Sequence, residues 1–122
     1  MTVIFTEEQL RQKCEDWQRI LRLQDWDVRT SIVRARDMRT KESNAEITVN
    51  IQHRSATIRI IDPNDYDREN VNPQDMERHL VHELLHIHLW PFTDELTGPL
   101  ADAEEQAINM ITGALIRLHR NG

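Results

Sequence analysis

His82, Glu83, Leu84, Leu85 and His86 form the one short stretch of this chain whose residue types and spacing could do chemistry. On a helix, residues four apart share a face, so the imidazoles of His82 and His86 can be aimed at one cation. Neutral imidazole nitrogen suits zinc at about 2.0–2.1 Å, in a tetrahedral set that two histidines half fill. Glu83 follows the first histidine about 100° round the helix, beside the cation rather than on it, where its carboxylate can take a proton from water. Leu84 and Leu85 supply an apolar backing. His79 lies one turn earlier and is expected at the rim of such a site; His88 should point elsewhere.

A catalytic zinc needs a third protein ligand and an open position. The last predicted helix supplies it. There Ala107, Ile108, Ile111, Ala114, Leu115 and Leu118 project as one buried stripe with Glu104 at its centre and Glu105 about a quarter turn aside. A carboxylate on an apolar face is costly to bury without compensation, and a cation compensates it. Glu104 is therefore the expected third ligand, with Glu105 as the alternative and Asp102 supporting the helix start. Asn109 and Asp94 are the candidates for holding the histidine rings from behind.

The elements that must position these residues read as helix, sheet, helix, helix. Thr6 and Gln9 can form a capping box, Phe5 and Leu10 the staple outside it, and Leu10, Cys14, Trp17, Ile20 and Leu21 recur at helical spacing to about Leu23. Alternating segments then predict strands at Trp26–Ile32, Glu46–Ile51 and Ala56–Ile61, with polar turns at 37–44 and 52–55. The second helix is predicted from Pro73, capped by Asn72, to Leu89 ahead of Pro91. The third runs from Pro99 or Leu100 to Leu118. The expected fold is α+β: an N-terminal helix, a small, mainly antiparallel three-stranded sheet, and two helices carrying the site, in a single domain spanning 1–122.

Composition narrows the partners. The chain has 122 residues, is 39% hydrophobic and 30% charged, and carries a net charge of -6 with both signs mixed. That balance argues against a specific nucleic-acid partner, which needs a concentrated basic face. The local cluster Arg34, Arg36, Arg39 and Lys41 is interrupted by Asp37 and reads as a solvated turn. Cys14 is the only cysteine and falls in an apolar stripe, so it reads as core, in keeping with a reducing compartment. No segment nears the roughly 20 apolar residues of a membrane span, and the amino terminus lacks a signal-peptide pattern. A cytoplasmic protein is expected; its oligomeric state is left open.

The motif His82-Glu83-Leu84-Leu85-His86, followed by Glu104-Glu105-Gln106-Ala107-Ile108-Asn109, resembles the gluzincins, in which HExxH on one helix is completed by a glutamate on the next. It is most similar to the small phage and prophage metallopeptidases of that group, over roughly residues 45–119. The resemblance implies His82, His86 and Glu104 as zinc ligands, Glu83 as general base, a minimal zincin-like core and peptide or protein substrates. Larger gluzincins place an acidic residue four positions after the ligand glutamate to hold a motif histidine. Here that position is Ile108 after Glu104 and Asn109 after Glu105. An extended substrate could lie along a sheet edge, with Ala56–Ile61 as the candidate strand, and Tyr66, His53 or Arg54 could steady the oxyanion. Two rival expectations stand beside hydrolysis of peptides: a catalytically silent zinc-binding regulatory module, and hydrolysis of a non-peptide amide by the same residues.

Overall fold

The computed structural model describes residues 2–122, and their architecture is α+β. Helix α1 (Glu7–Ile20) leads into strand β1 (Asp27–Val33); strands β2 (Ala45–Asn50) and β3 (Ser55–Ile61) follow, then helices α2 (Met76–Thr93) and α3 (Pro99–Asn121). None of the described helices is long and apolar enough to cross a membrane.

Helix α1 begins as its sequence dictates. Thr6 accepts from the Gln9 N–H at 3.1 Å and the Gln9 side chain accepts from the Thr6 N–H at 2.9 Å. It stops at Ile20, three residues short of the expected Leu23. Arg22 turns left-handed at φ 63°, and the Leu23 N–H reaches back to the Gln18 carbonyl at 2.7 Å, closing the helix.

The sheet order is β1-β3-β2, with β2 antiparallel to β3 but β1 parallel to it. The sheet is thus mixed rather than mainly antiparallel. The 34–44 connection carries the chain from the end of β1 to the far edge, and the β2–β3 hairpin then lays β3 between the other two strands. Ala56, Ile58 and Ile60 of this central strand are buried, and their registered neighbours Val28, Ile32, Ile47 and Val49 share the same helix-facing side.

Helix α2 is the central beam of the molecule. Met76, Leu80, Val81 and Leu84 are fully buried, packed with Leu10, Cys14 and Trp17 of α1 and with the sheet. Both of its predicted ends shift. A short bridge between Val3 and Asp75 holds residues 74–76 extended, with the Val3 N–H on the Gln74 carbonyl and the Met76 N–H on the Val3 carbonyl, each at 2.9 Å. Asp75, not Asn72, is therefore the N-cap, accepting from the Arg78 N–H at 3.0 Å. At the other end α2 runs through Pro91 to Thr93, whose hydroxyl donates to the Leu89 carbonyl at 2.9 Å. Gly98, at φ 63°, then turns the chain so that α3 packs back on α2.

Cys14 is core, as its spacing predicts, and burial pushes its thiol up to about 12. Too little thiolate forms near neutrality for it to act as a nucleophile. Native protein at pH 8 should react with a thiol reagent about 10³-fold more slowly than a free cysteine. Stoichiometric labelling within minutes in the absence of denaturant would contradict this.

Candidate metal centre

His82 and His86 lie on successive turns of α2, ring centroids 5.1 Å apart, each with its Nε2 turned toward α3. Both nitrogens meet one carboxylate: His82 Nε2 is 3.1 Å from Glu105 Oε2, and His86 Nε2 is 2.8 Å from Glu105 Oε1. Donor atoms of the three residues lie within 4.8 Å of one another, a group that could hold a metal ion.

The third member is Glu105, not the Glu104 that the helix projection favoured. Glu104 sits on the other side of His86, with its Oε2 3.6 Å from Nδ1. That oxygen is buried and has no hydrogen-bond partner, and it faces the back of the imidazole ring. The difference in placement has a physical source. Helix α3 carries two apolar stripes, an inward one of Ile108, Thr112 and Ile116 and an outward one that includes Ile111 and Leu118. Merging them rotates the apparent centre away from Glu105, which lies in line with the inward set.

Asn109, one turn after Glu105, lies beside His82 and acts on its ring as a hydrogen-bonding neighbour. His82 is nevertheless held below the ordinary histidine range, chiefly by burial and with His86 adding repulsion, so its neutral form prevails. A neutral ring with a free lone pair is the form that binds metals. Asp94 and Asp102 do not line the site.

Glu83 lines the same cleft although only 7% of it is exposed. Burial, followed by the charges of Glu105 and Glu46, pushes its carboxyl up to about 8. The cleft, about 480 Å³, runs between the face of α2 that bears His79, His82 and His86 and the β2 edge at Ala45–Ile47, with Thr40, Ser43 and Asn44 continuing that wall. β2 is an edge strand; β3, expected to offer the edge at Ala56–Ile61, is paired on both sides and cannot.

The opposite wall is what sequence reading missed. Glu46, opposite Arg59 in the register, accepts from the Thr40 N–H at 2.8 Å and the Arg39 N–H at 3.1 Å, and lies 3.3 Å from the Arg59 guanidinium. Burial works against its charge, but these donors outweigh it and hold the carboxyl below its usual range. Glu46 thereby anchors the 39–40 loop next to the cleft. The only hint in the sequence was a glutamate inside an apolar strand pattern.

His79 stands at the rim, as expected, lining both the cleft and a neighbouring groove. His88 points away, its Nε2 2.6 Å from the Leu21 carbonyl at the end of α1. The three residues considered for the oxyanion are all outside the cleft. Tyr66 donates its hydroxyl to the Asn72 carbonyl at 2.5 Å in the neighbouring groove, while His53 and Arg54 sit in the β2–β3 turn, Arg54 paired with Asp25.

The donor set fits a divalent cation: two imidazoles, one carboxylate and an open side toward the cleft. Ligands about 2.0–2.1 Å from one tetrahedral zinc stand about 3.3 Å apart. The two His–Glu separations, 2.8 and 3.1 Å, need to open by a few tenths of an ångström, and the donor group as a whole lies within 4.8 Å. Comparison with family models, curated proteins and solved structures finds no match to this chain, so its activity must be argued from the site itself.

Proposed function

We propose that this protein is a zinc-dependent peptidase of gluzincin type, with His82, His86 and Glu105 as ligands and Glu83 as general base. The observation that carries the reading is the convergence of both Nε2 atoms on the two oxygens of Glu105, at the wall of an open cleft that Glu83 shares. With Glu105 as ligand, the position four residues on is Asn109, which lies beside His82. An amide there takes the place of the acidic residue of larger gluzincins.

When bound, the ion would supply Lewis acidity, polarising a carbonyl and making water easier to deprotonate. The chain's own residues do the rest. Glu83 takes the proton of the attacking water and delivers it to the departing amine, so both heavy-atom steps proceed without a free charged leaving group. The β2 edge offers unpaired backbone N–H and C=O groups, to which an extended peptide can hydrogen-bond across the cleft. Glu104, behind His86, is a positioning residue: its orphaned oxygen favours the tautomer that carries hydrogen on Nδ1 and leaves Nε2 free. The buried thiol and the absence of a membrane-spanning helix among the described residues suit a cytoplasmic site of action.

Metal analysis tests the ligand assignment directly. Purified protein should hold one zinc per chain, and Glu105→Ala should lower affinity more than 100-fold, as losing one of three protein ligands requires. Glu104→Ala should lower it about 10–100-fold, the usual effect of losing a group that only orients a ligand. If Glu104→Ala abolishes binding while Glu105→Ala leaves it intact, the assignment is reversed.

A second reading is favoured by one observation, the burial of Glu83. A base so little exposed suits a catalytically silent zinc-binding regulatory module, in which Glu83 serves only packing and charge.

A further inference from the structure

Two ladders of residues with a four-residue step meet across the seam between α2 and α3. On α2 they are Arg78, His82 and His86, and on α3 Glu105, Asn109 and Gly113. His86 meets Glu105 and Asn109 lies beside His82, so the next rung brings Arg78 to Gly113. There the guanidinium lies over the glycine: a Cβ on Gly113 would stand 3.4 and 3.6 Å from its two terminal nitrogens. Arg78 is thus about 6 Å along α2 from His82, on the same face.

The charge of this arginine is not engaged. Its side chain is exposed and has no ion pair or hydrogen bond among the described residues; only its backbone N–H is used, donating to Asp75. It lines a groove of about 460 Å³ that joins the metal cleft at Asn44 and His79, which line both. The other charges of that groove answer each other, since Arg120 lies 2.9 Å from Asp75 and 3.1 Å from Glu77. The lining of the metal cleft contains no lysine or arginine. An anionic group on a molecule lying in the cleft therefore has one unengaged cation within reach. Asn44 directly precedes the β2 edge at Ala45–Ile47, so a peptide that follows this edge past Ala45 arrives where the second groove opens.

Resting on the peptidase reading, we propose that Arg78 sets its specificity by binding a carboxylate of the substrate, an acidic side chain or the terminal carboxyl. A guanidinium takes a carboxylate through two parallel N–H bonds, which adds direction to the charge attraction. An extended peptide advances about 3.3 Å per residue, so one rung of about 6 Å puts the carboxylate about two residues from the bond that is cut.

Fluorescence anisotropy on zinc-loaded Glu83→Gln protein separates binding from cleavage. The probes are alanine–serine decapeptides in pairs that carry Glu or Gln at one position, each with a free and an amidated carboxyl terminus. A Glu peptide should bind about tenfold more tightly than its Gln partner, and the preference should shrink between about 50 and about 500 mM salt. A preference that survives amidation assigns the site to a side chain, and one between free and amidated ends assigns it to the terminus. Adding Arg78→Met should abolish the preference without weakening the Gln peptides or shifting the unfolding transition, because the side chain is exposed. Arg78→Lys should keep part of it, as a single point charge does. In wild-type turnover the preference should appear in KM and not in kcat. Equal binding throughout the panel, or a preference that outlasts Arg78→Met, overturns the inference. Selective binding that depends on Arg78, with no peptide cut by the wild type, would leave the carboxylate site standing and remove the peptidase reading instead.

Discussion

Replacing Glu83 by Gln is expected to reduce peptide hydrolysis by roughly 10²–10⁴-fold while leaving zinc content unchanged. The amide preserves the shape of the side chain in its buried position beside the cleft. What it loses is the capacity to accept a proton, the single task assigned to Glu83. The proposed ligands His82, His86 and Glu105 are untouched, so stoichiometric metal should persist. Folding should not suffer either, because a neutral group replaces a carboxyl that faces the charges of Glu105 and Glu46. The measurement is turnover of a quenched fluorescent peptide library by zinc-loaded protein, wild type against variant. Hydrolysis that survives within tenfold would remove Glu83 from the mechanism. Tight zinc binding with no hydrolysis of any peptide by the wild type would favour the silent module.

Glu77→Ala is expected to cost about 3–5 kcal/mol of folding stability, the largest single loss outside the apolar core. This carboxylate is only 6% exposed and joins three helices. From α1, the Trp17 indole N–H donates to it at 2.9 Å; from the end of α3, the Arg120 guanidinium donates at 3.1 Å and also pairs with Asp75, the N-cap of α2. Truncation leaves a buried indole N–H and part of a guanidinium without partners, and that penalty outweighs the modest net value of each bond. A drop of roughly 10–20 °C in melting temperature should follow. Glu77→Gln keeps an oxygen for Trp17 and should cost only about 1–2 kcal/mol. Denaturant titration of both variants checks this, and a loss below 1 kcal/mol for Glu77→Ala would show that the helices do not depend on the tie.

Local signals were read with most success where the physics is local. The capping box at Thr6 and Gln9 needs only a three-residue offset, and the convergence of His82 and His86 needs only a helical repeat. Their outcome hardly depends on the rest of the chain. The start of α2 was misread because its real cap, Asp75, is selected by Val3, more than 70 residues away, which pulls residues 74–76 into an extended bridge. Pro91 misled in the opposite direction: the Thr93 hydroxyl donating to the Leu89 carbonyl and the Asp94 N–H donating to the Trp90 carbonyl at 3.2 Å hold the last turns of α2 together across it.

By itself, then, the sequence determined an α+β chain with a metal-competent pair of histidines, a glutamate beside them and a glutamate pair on the next helix to complete the set. Only the tertiary structure showed that Glu105, rather than Glu104, lies against both Nε2 atoms. Two apolar stripes on one helix look alike in a projection, and which of them faces inward is settled by packing against α2. Tertiary structure also made β2 rather than β3 the free edge, because the 34–44 connection sends β2 past β3 to the outside of the sheet. Strand order is a matter of chain path, and residue spacing carries no record of it.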